Sequence, residues 1–163
     1  MLRLERVVFA QLISQTIPGR VLILLGARRV GKTSLLKELA TSFDSELVLS
    51  LNGEDQATLD RLSIKSVENY RAMLGKVKYL IIDEAQNLTP KQVKGIVTRA
   101  GAGTKIILVG DPEQIDNPFL DVRTNGLCYA AEKMKGSSLT YQITLTEEEC
   151  ERSVLAYESA KRM

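Results

Sequence analysis

Residues 26–33 read Gly26-Ala27-Arg28-Arg29-Val30-Gly31-Lys32-Thr33 and fit the spacing G-x-x-x-x-G-K-[ST]. An apolar run over residues 21–25 precedes this octamer, and leucines at helical spacing follow it over residues 34–43. Between a strand and a helix, the two glycines let backbone N–H groups wrap around an oxyanion, to which the helix N-terminus adds positive potential. The octamer therefore predicts a phosphate-binding loop in an α/β fold. The alternative is a glycine-rich turn that only joins a strand to a helix.

The loop offers three polar side chains to a nucleoside triphosphate, for which Mg-ATP is the predicted ligand. We expect Lys32 to neutralise the β- and γ-phosphates, Thr33 to give its hydroxyl to Mg²⁺, and Ser34 to reach the α-phosphate. Arg28 and Arg29 occupy variable positions of the loop, where they are either solvated or in contact with a phosphate or a partner. The chemistry expected of the loop is therefore phosphate binding.

Two adjacent carboxylates follow the apolar run over residues 79–82. Because parallel strands present their carboxyl ends at one edge of a sheet, Asp83 and Glu84 should lie where an α/β sheet binds its ligand. We expect Asp83 to hold Mg²⁺ through its water shell and Glu84 to act as the base that orients or deprotonates the attacking water. An acid in this place favours a hydrolase over a kinase, which must shield its nucleotide from water. Taken alone, the run also fits a strand that meets a polar loop.

A second polar segment, Gly110-Asp111-Pro112-Glu113-Gln114, follows the apolar run at residues 106–109. At this sheet edge Gln114 is expected to contact the γ-phosphate, with Asp111 helping to set the loop. The alternative is a turn without a ligand. Arg152 lies in the first turns of a predicted final helix, from which its guanidinium either reaches the charge of the transition state or pairs with a neighbouring glutamate.

Short apolar runs alternate with helix-like stretches along the chain, a pattern typical of a parallel sheet covered on both faces. The predicted fold is a three-layer α/β/α P-loop NTPase domain over residues 1–163, with a five-stranded, mainly parallel sheet of the additional-strand, catalytic-glutamate type. The last strand alternates as a half-exposed edge strand would. The predicted strands are Arg20–Leu25, Glu46–Leu51, Lys78–Ile82, Lys105–Val109 and Thr140–Leu145.

Several helices carry explicit start or stop signals. Thr89 is followed by proline and then by glutamine, which predicts a capping box with proline at the first helical position. Thr146 opens a second capping box, followed by a final helix that buries Cys150 and nearby apolar residues. Ser66 is expected to cap a helix that ends at Gly75. An amphipathic helix is predicted ahead of the first strand, over residues 4–15.

Composition excludes several classes of function. The 163 residues include 22 Lys and Arg against 20 Asp and Glu, and this near-neutral balance argues against an electrostatic grip on nucleic acid or anionic lipid. The chain has no histidine, which removes His-based catalytic triads, and its two cysteines, Cys128 and Cys150, lack metal-ligand spacing. Both thiols are predicted to be reduced core residues. No apolar run reaches the length of a membrane span, so the protein is expected to be soluble and cytoplasmic.

Two resemblances to known families overlap on the Asp83 strand. Residues 4–88, with PGRVLILLGARRVGKTSLLKELA and KVKYLIIDEAQNL, resemble the core of archaeal-type AAA ATPases. Residues 79–163, with IIDEAQNLTPKQVKGIVTRAG, VGDPEQIDNPFLDVRTNG and the segment around Arg152, resemble PhoH-type ATPases, which are related to superfamily I helicases and often joined to RNA-linked domains. The PhoH resemblance implies that Gln114 and Arg152 act on the γ-phosphate. The order suggests a mosaic, natural or engineered, with a crossover near residues 83–89.

Three functional hypotheses remain open from the sequence. The first is a minimal ATPase that hydrolyses Mg-ATP slowly, with Lys32, Glu84, Gln114 and Arg152 in the catalytic roles. The second is a folded nucleotide-binding scaffold without useful catalysis. The third is an RNA-dependent ATPase or helicase module, which the sequence supports least because it shows no stripe of interleaved aromatic and basic residues.

Overall fold

Parallel strands form the centre of the structure, a computed structural model that describes residues 7–28 and 30–145. In that part of the chain there are five strands, each with bounds within two residues of the prediction. They are β1 (Val21–Gly26), β2 (Val48–Asn52), β3 (Tyr79–Asp83), β4 (Lys105–Gly110) and β5 (Thr140–Leu145). All pair in parallel in the order β2-β3-β4-β1-β5, which confirms β5 as an edge strand.

The strand order places β4 between β1 and β3. Residue pairing runs from Ile23 on β1 to Leu108 on β4, and from Leu108 to Ile82 on β3. The strand that carries the phosphate loop is therefore separated from the strand that carries Asp83 by one intervening strand. This order confirms the predicted additional-strand type of P-loop sheet.

Six α-helices lie in the described part of the chain. They are α1 (Val7–Ser14), α2 (Lys32–Ala40), α3 (Gln56–Ser63), α4 (Val67–Leu74), α5 (Pro90–Arg99) and α6 (Gly126–Lys133). Short 3-10 helices cover Ser45–Leu47 and Ala85–Asn87. The start of α2 differs from the prediction, which began this helix at Ser34. Because Gly31 already caps it, Lys32 and Thr33 belong to its first turn. None of the described helices is long and apolar enough to cross a bilayer.

The sheet is covered on both faces, as the three-layer prediction requires. On one face, alternate strand residues such as Ile82 and Leu108 pack against α3, α4, α5 and α6. On the other face, Ile81 and Ile107 pack against α1 and α2. Leucines from α2 fill the second layer, with Leu35 and Leu39 essentially inaccessible to solvent. Strand residues alternate between the two cores because successive side chains of a strand point to opposite faces.

Local capping signals are confirmed where the structure describes them. The hydroxyl of Thr89 accepts from the N–H of Gln92 at 3.1 Å, and the Gln92 side chain accepts from the Thr89 N–H at 2.9 Å. Ser66 caps α4 by accepting from Asn69, and Gly75 ends that helix. The final helix predicted from residue 146 lies outside the described residues.

The prediction that both cysteines are core residues is wrong for Cys128. Cys128 is a free thiol on α6, but it is half-buried rather than buried. Its helix turns Leu127 and Ala130 toward the core, and Cys128 lies beside that face. Cys150 lies outside the described residues.

A buried ammonium group lies at the amino end of β4. Lys105 has no exposed surface, and its Nζ donates to the carbonyl of Gln15, in the connection between α1 and β1, at 2.7 Å. Burial, assisted by the charge of Arg20, lowers the pKa of Lys105 to about 8. From the sequence, Lys105 is expected only to begin a strand. The structure shows that it fastens the α1 connection to the sheet.

We predict that this lysine makes stability depend on pH. Because its folded pKa lies below its unfolded value, the unfolded chain binds more protons between about pH 8 and pH 10.5, and the free energy of unfolding should rise with pH there. Lys105→Met removes the titration. The stability of the unmodified protein minus that of Lys105→Met should therefore increase by at least about 1 kcal/mol across this window, measured by urea denaturation. A flat difference would contradict the prediction.

Candidate nucleotide-binding site

The loop between β1 and α2 has the backbone conformation that a phosphate cradle needs. Gly31 adopts φ 84°, a left-handed conformation that other residues rarely adopt, and accepts the first helical hydrogen bond of α2 through its carbonyl. Val30 is buried in the core under α2 and anchors the loop from below. The N–H groups of the first helical turn lack intrahelical acceptors, so the helix opens with donors directed toward the loop. This geometry can hold an oxyanion.

Lys32 folds back over the loop. Its Nζ donates to the carbonyls of Gly26 and Ala27, both at 2.7 Å. Burial lowers the pKa of Lys32, while the negative charges of Asp111, Glu84 and Asp83 oppose that shift, in this order of size. A single ammonium group is thus held by two carbonyls and faces carboxylates from three other positions of the chain. Phosphate oxygens could replace the two carbonyls as acceptors.

Thr33 and Asp83 meet where the loop approaches β3. The Thr33 hydroxyl donates to Oδ2 of Asp83 at 3.1 Å, and Oδ1 of Asp83 accepts from the Glu84 N–H at 2.9 Å. Within residues 7–28 and 30–145, no group of three or more His, Cys, Asp or Glu side chains forms a metal site. The oxygen atoms of Thr33 and Asp83 lie close enough together to serve as two ligands of one metal ion. This set fits Mg²⁺, which usually keeps waters and phosphate oxygens beside one or two protein ligands.

Glu84 has an unusual backbone for a residue with a side chain. Its φ of 52° and ψ of 38° are left-handed, and among the described residues it is the one non-glycine with positive φ. Gly53 at the end of β2 fits against this turn, because a Cβ at position 53 would collide with the Glu84 carbonyl. Such conformations cost roughly 1–3 kcal/mol and are concentrated at functional sites. The turn directs the Glu84 carboxylate toward Gln86, whose amide donates to it at 2.6 Å.

The segment after β4 reaches the same edge. Asp111 is buried, and its carboxylate accepts from the Glu113 N–H at 3.0 Å, while its carbonyl accepts from the Gln114 N–H at 3.1 Å. The segment is therefore a hydrogen-bonded turn, and the negative charge of Asp111 also acts against the lowering of the Lys32 pKa. The Gln114 side chain is exposed at the surface of this turn.

Sequence reasoning missed Gln86 and the carboxyl pair between Glu54 and Asp116. Gln86 is fully buried and bonds to both the Glu84 and Gln114 segments. The pKa of Glu54 is raised, first by a hydrogen bond with Asp116 and then by burial and the charge of Glu84. The ends of β2 and β3 and the loop after β4 thus bring carboxyl groups together. The only local signal for Gln86 was its place in the polar run that follows β3.

Four other residues were predicted to belong to the site: Ser34, Arg28, Arg29 and Arg152. Ser34 is exposed in the first turn of α2, beside the loop as expected. Arg28 is exposed, and its charge acts on Glu54, where it lowers the carboxyl pKa against the dominant upward shift. Arg29 and Arg152 lie outside the described residues. The structure therefore brings Lys32, Thr33, Asp83, Glu84 and Asp111 together.

A G-x-x-x-x-G-K-[ST] loop on β1, an Asp-Glu pair on β3 and an intervening β4 define a P-loop NTPase domain of the additional-strand type. The sequence profile of the PhoH-like protein family matches residues 52–162, and the chain belongs to this family.

One curated relative and two solved structures are similar to this chain. The chain is 45% identical to protein PhoH2 of Bacillus subtilis over 107 residues, which cover 64% of this chain and 24% of PhoH2. Among solved structures, Pif1 from Bacteroides sp. in complex with ADP-AlF4 is similar, with a TM-score of 0.61, 17% identity and coverage of 99% of this chain and 45% of Pif1. Bacteroides Pif1 bound to ssDNA has a TM-score of 0.52 and 16% identity, over 89% of this chain and 42% of Pif1. At these identities the Pif1 structures show a shared fold, and this chain spans about a quarter of PhoH2.

We predict that the Thr33 hydroxyl makes nucleotide binding depend on Mg²⁺. Thr33→Val keeps the size of the side chain but removes the hydroxyl. In Mg²⁺ its affinity for ADP should fall roughly tenfold, the effect of losing one hydrogen-bonding group near a charge, while the affinity in EDTA should stay the same. Thr41→Val is the matched control, because the Thr41 hydroxyl, at the C-cap of α2, donates to the carbonyl of Glu38 at the far end of the helix from the phosphate loop. Calorimetric titration measures the affinities of the unmodified protein and both variants in Mg²⁺ and in EDTA, and an equal loss with and without Mg²⁺ would contradict the prediction.

Proposed function

We propose that the protein binds Mg-ATP on residues 26–34 and hydrolyses it slowly, with Glu84 as the base. One observation supports this most directly: the Lys32 ammonium is held at the loop while the carboxylates of Asp111, Glu84 and Asp83 face it from two other strands. Negative charge gathered around one cation is suited to a site in which a metal and phosphates take up the same charges.

In the proposed reaction, the side chains of the site act one after another. Lys32 exchanges the carbonyls of Gly26 and Ala27 for oxygens of the β- and γ-phosphates. Thr33 and Asp83 would hold Mg²⁺, which would supply positive charge to the phosphate oxygens when bound. Glu84 accepts a proton from water as the water oxygen bonds to the γ-phosphorus and the bond to the ADP oxygen breaks.

Two more residues complete the proposal. Gln114, exposed on the turn after β4, contacts the γ-phosphate through its side-chain amide. Arg152, which lies outside the described residues, supplies positive charge to the transition state. The family resemblance implies this role. The protein is proposed to act in the cytoplasm, in keeping with its composition.

Two substitutions separate binding from hydrolysis. Glu84→Gln should lower phosphate release by roughly 100- to 10,000-fold, because it removes the base, and should leave ATP affinity within about threefold. Lys32→Ala should weaken binding itself, by at least roughly tenfold, because a charged hydrogen-bond donor to the phosphates is lost. Calorimetric titration with ATP, ADP and GTP, followed by phosphate release on the same samples, measures both effects.

The outcomes distinguish the proposed ATPase from a scaffold. Tight binding with phosphate release no faster than that of Lys32→Ala would identify a nucleotide-binding scaffold without catalysis. Unchanged turnover in Glu84→Gln would remove Glu84 from the mechanism. Equal affinities for ATP and GTP would show that nucleotide binding has no preference for adenine.

We also retain a two-family origin as a proposal. The PhoH-like match begins at residue 52, ahead of the segment 83–89 in which the sequence suggested a crossover. A junction, if the chain has one, is therefore proposed at or before the end of β2. A continuous natural family that covers residues 4–51 together with the remainder would refute a mosaic.

A nucleic-acid-dependent ATPase is the second candidate, favoured by one exposed aromatic ring. Phe119 is 91% exposed, five residues after Gln114, on a loop that hydrogen bonds hold in place. Asn117 accepts from the Phe119 and Leu120 N–H groups, and Asp121 accepts from the Arg123 N–H. A fixed, exposed ring suits stacking on a nucleobase, and a single-stranded DNA complex is known for the similarly folded Pif1. The loop carries more acidic than basic residues, so the binding of nucleic acid there would depend on stacking.

We predict that Phe119 carries any stimulation by single-stranded RNA or DNA. Phe119→Ala should reduce the stimulation of phosphate release by an oligonucleotide roughly fivefold or more, the effect of losing one stacked base, and leave the rate without oligonucleotide unchanged. Leu139→Ala serves as control. Leu139 is 53% exposed and precedes β5, so it lies at the amino ends of the strands, whereas the candidate site lies at their carboxyl ends. The absence of stimulation in the unmodified protein would exclude this candidate.

A further inference from the structure

We propose that Gln86 is a positioning residue that couples the γ-phosphate-contacting turn at Gln114 to the carboxylate of Glu84. This inference rests on the proposed function, since it assigns Gln114 to the γ-phosphate and Glu84 to water. Gln86 itself touches neither nucleotide nor water. It acts through the two segments that it joins.

The Gln86 amide makes three hydrogen bonds to two different parts of the site. Its Nε2 donates to Oε2 of Glu84 at 2.6 Å and to the carbonyl of Gln114 at 3.0 Å. Its Oε1 accepts from the Asp111 N–H at 3.3 Å. Both amide hydrogens are therefore used, one for each segment, and the carbonyl oxygen holds the start of the same turn.

The orientation of this amide follows from its partners. Nε2 faces two acceptors and Oε1 faces a donor, so the reversed amide would place oxygen against oxygen and N–H against N–H. Gln86 has no exposed surface, and water therefore does not supply alternative partners. The three bonds are strong as a set, because buried polar groups that lose a partner are costly.

The surrounding structure is shaped to this side chain. A Cβ at position 110 would collide with Oε1 of Gln86, so the glycine at the end of β4 leaves room for the amide. Next to Gln86, Oδ1 of Asn87 accepts from the N–H groups of Asp116 and Asn117 at 2.8 and 3.2 Å. The segment after β3 thus holds the first half of the loop after β4, from Asp111 to Asn117.

This geometry implies a functional coupling. A γ-phosphate that engages the Gln114 side chain fixes the turn whose carbonyl accepts from Gln86, and the second hydrogen of the same amide orients the Glu84 carboxylate. Because ADP lacks the γ-phosphate, it does not engage the turn. Gln86 should therefore contribute to turnover and to the preference for ATP over ADP, and should not contribute to ADP binding.

The decisive variant is Gln86→Leu, which keeps much of the volume and removes all three hydrogen bonds. We expect kcat to fall roughly tenfold to hundredfold, the loss typical of hydrogen bonds to charged groups, and KM for ATP to rise roughly fivefold, because slow chemistry makes KM follow the affinity for the γ-phosphate. With Mg²⁺, the ratio of affinities for a non-hydrolysable ATP analogue and ADP should fall at least roughly fivefold, while ADP affinity itself is retained.

Gln92→Leu is the matched control. Gln92 is also a glutamine that bonds to two segments, since its side chain accepts from the Thr89 N–H and donates to the carbonyl of Leu59 and the hydroxyl of Ser63. It belongs to the cap of α5 and has no contact with Glu84 or Gln114 among these bonds. Thermal unfolding should show that both variants are destabilised, whereas only Gln86→Leu should change the analogue-to-ADP ratio.

Gln86→Glu provides a second variant for the case in which leucine prevents folding. It keeps an oxygen that accepts from the Asp111 N–H but replaces the amide donors with a carboxylate oxygen against Glu84. We expect a loss of kcat at least as large as that of Gln86→Leu. Hydrogen exchange at the Asp111 N–H should be faster in Gln86→Leu than in Gln86→Glu, because only the glutamate keeps its acceptor.

The readouts distinguish failure of this inference from failure of the proposed function. If the unmodified protein binds nucleotide but releases no phosphate, the hydrolysis proposal fails, and the analogue-to-ADP ratio and hydrogen exchange still test Gln86. If the unmodified protein is active and Gln86→Leu changes kcat and the affinity ratio no more than Gln92→Leu does, Gln86 is a structural residue only and the coupling is refuted.

Discussion

The ammonium group of Lys32 lies where several segments of the chain meet, and its burial has to be balanced by oxygen atoms. Two carbonyls of the loop bond to it directly, and three carboxylates oppose the downward shift of its pKa. A buried cation without such partners would be strongly unfavourable. The positions of Asp83, Glu84 and Asp111 are therefore linked to Lys32 by charge, before any nucleotide is considered.

The order of the strands decides which segments can meet there. Since β4 lies between β1 and β3, the turn that begins at Asp111 reaches the sheet edge between the phosphate loop and Glu84. A neighbouring position for β1 and β3 would leave no space for this turn. The intervening strand thus adds a second layer of contacts between the phosphate-binding residues and the carboxylates. The left-handed turn at Glu84 and the glycine at residue 53 complete the fit on the side of β2.

Sequence reasoning succeeded where the signal is local. The octamer 26–33 and its flanking apolar residues predict a strand, a loop and a helix, and the capping box at Thr89 involves residues only three apart. Both features could therefore be predicted from the sequence. The roles of Gln86 and Lys105 depend on partners far along the chain, at Gln114 and at Gln15 respectively, and nothing near either residue identifies those partners. A polar residue after a strand and a lysine at the start of one are ordinary patterns, which take their meaning from tertiary contacts.

The absence of a side chain at residue 110 has a consequence for how such sequences change over time. Gly110 leaves the space that the amide of Gln86 occupies, and a Cβ at residue 110 would collide with that amide and come within 2.9 Å of the Leu127 side chain, so a larger residue at 110 calls for a change at 86 as well. The two positions should therefore vary as a pair among related proteins, 24 residues apart in the chain. Paired variation at 86 and 110 would show whether a related protein keeps this contact between the 3-10 helix after β3 and the end of β4.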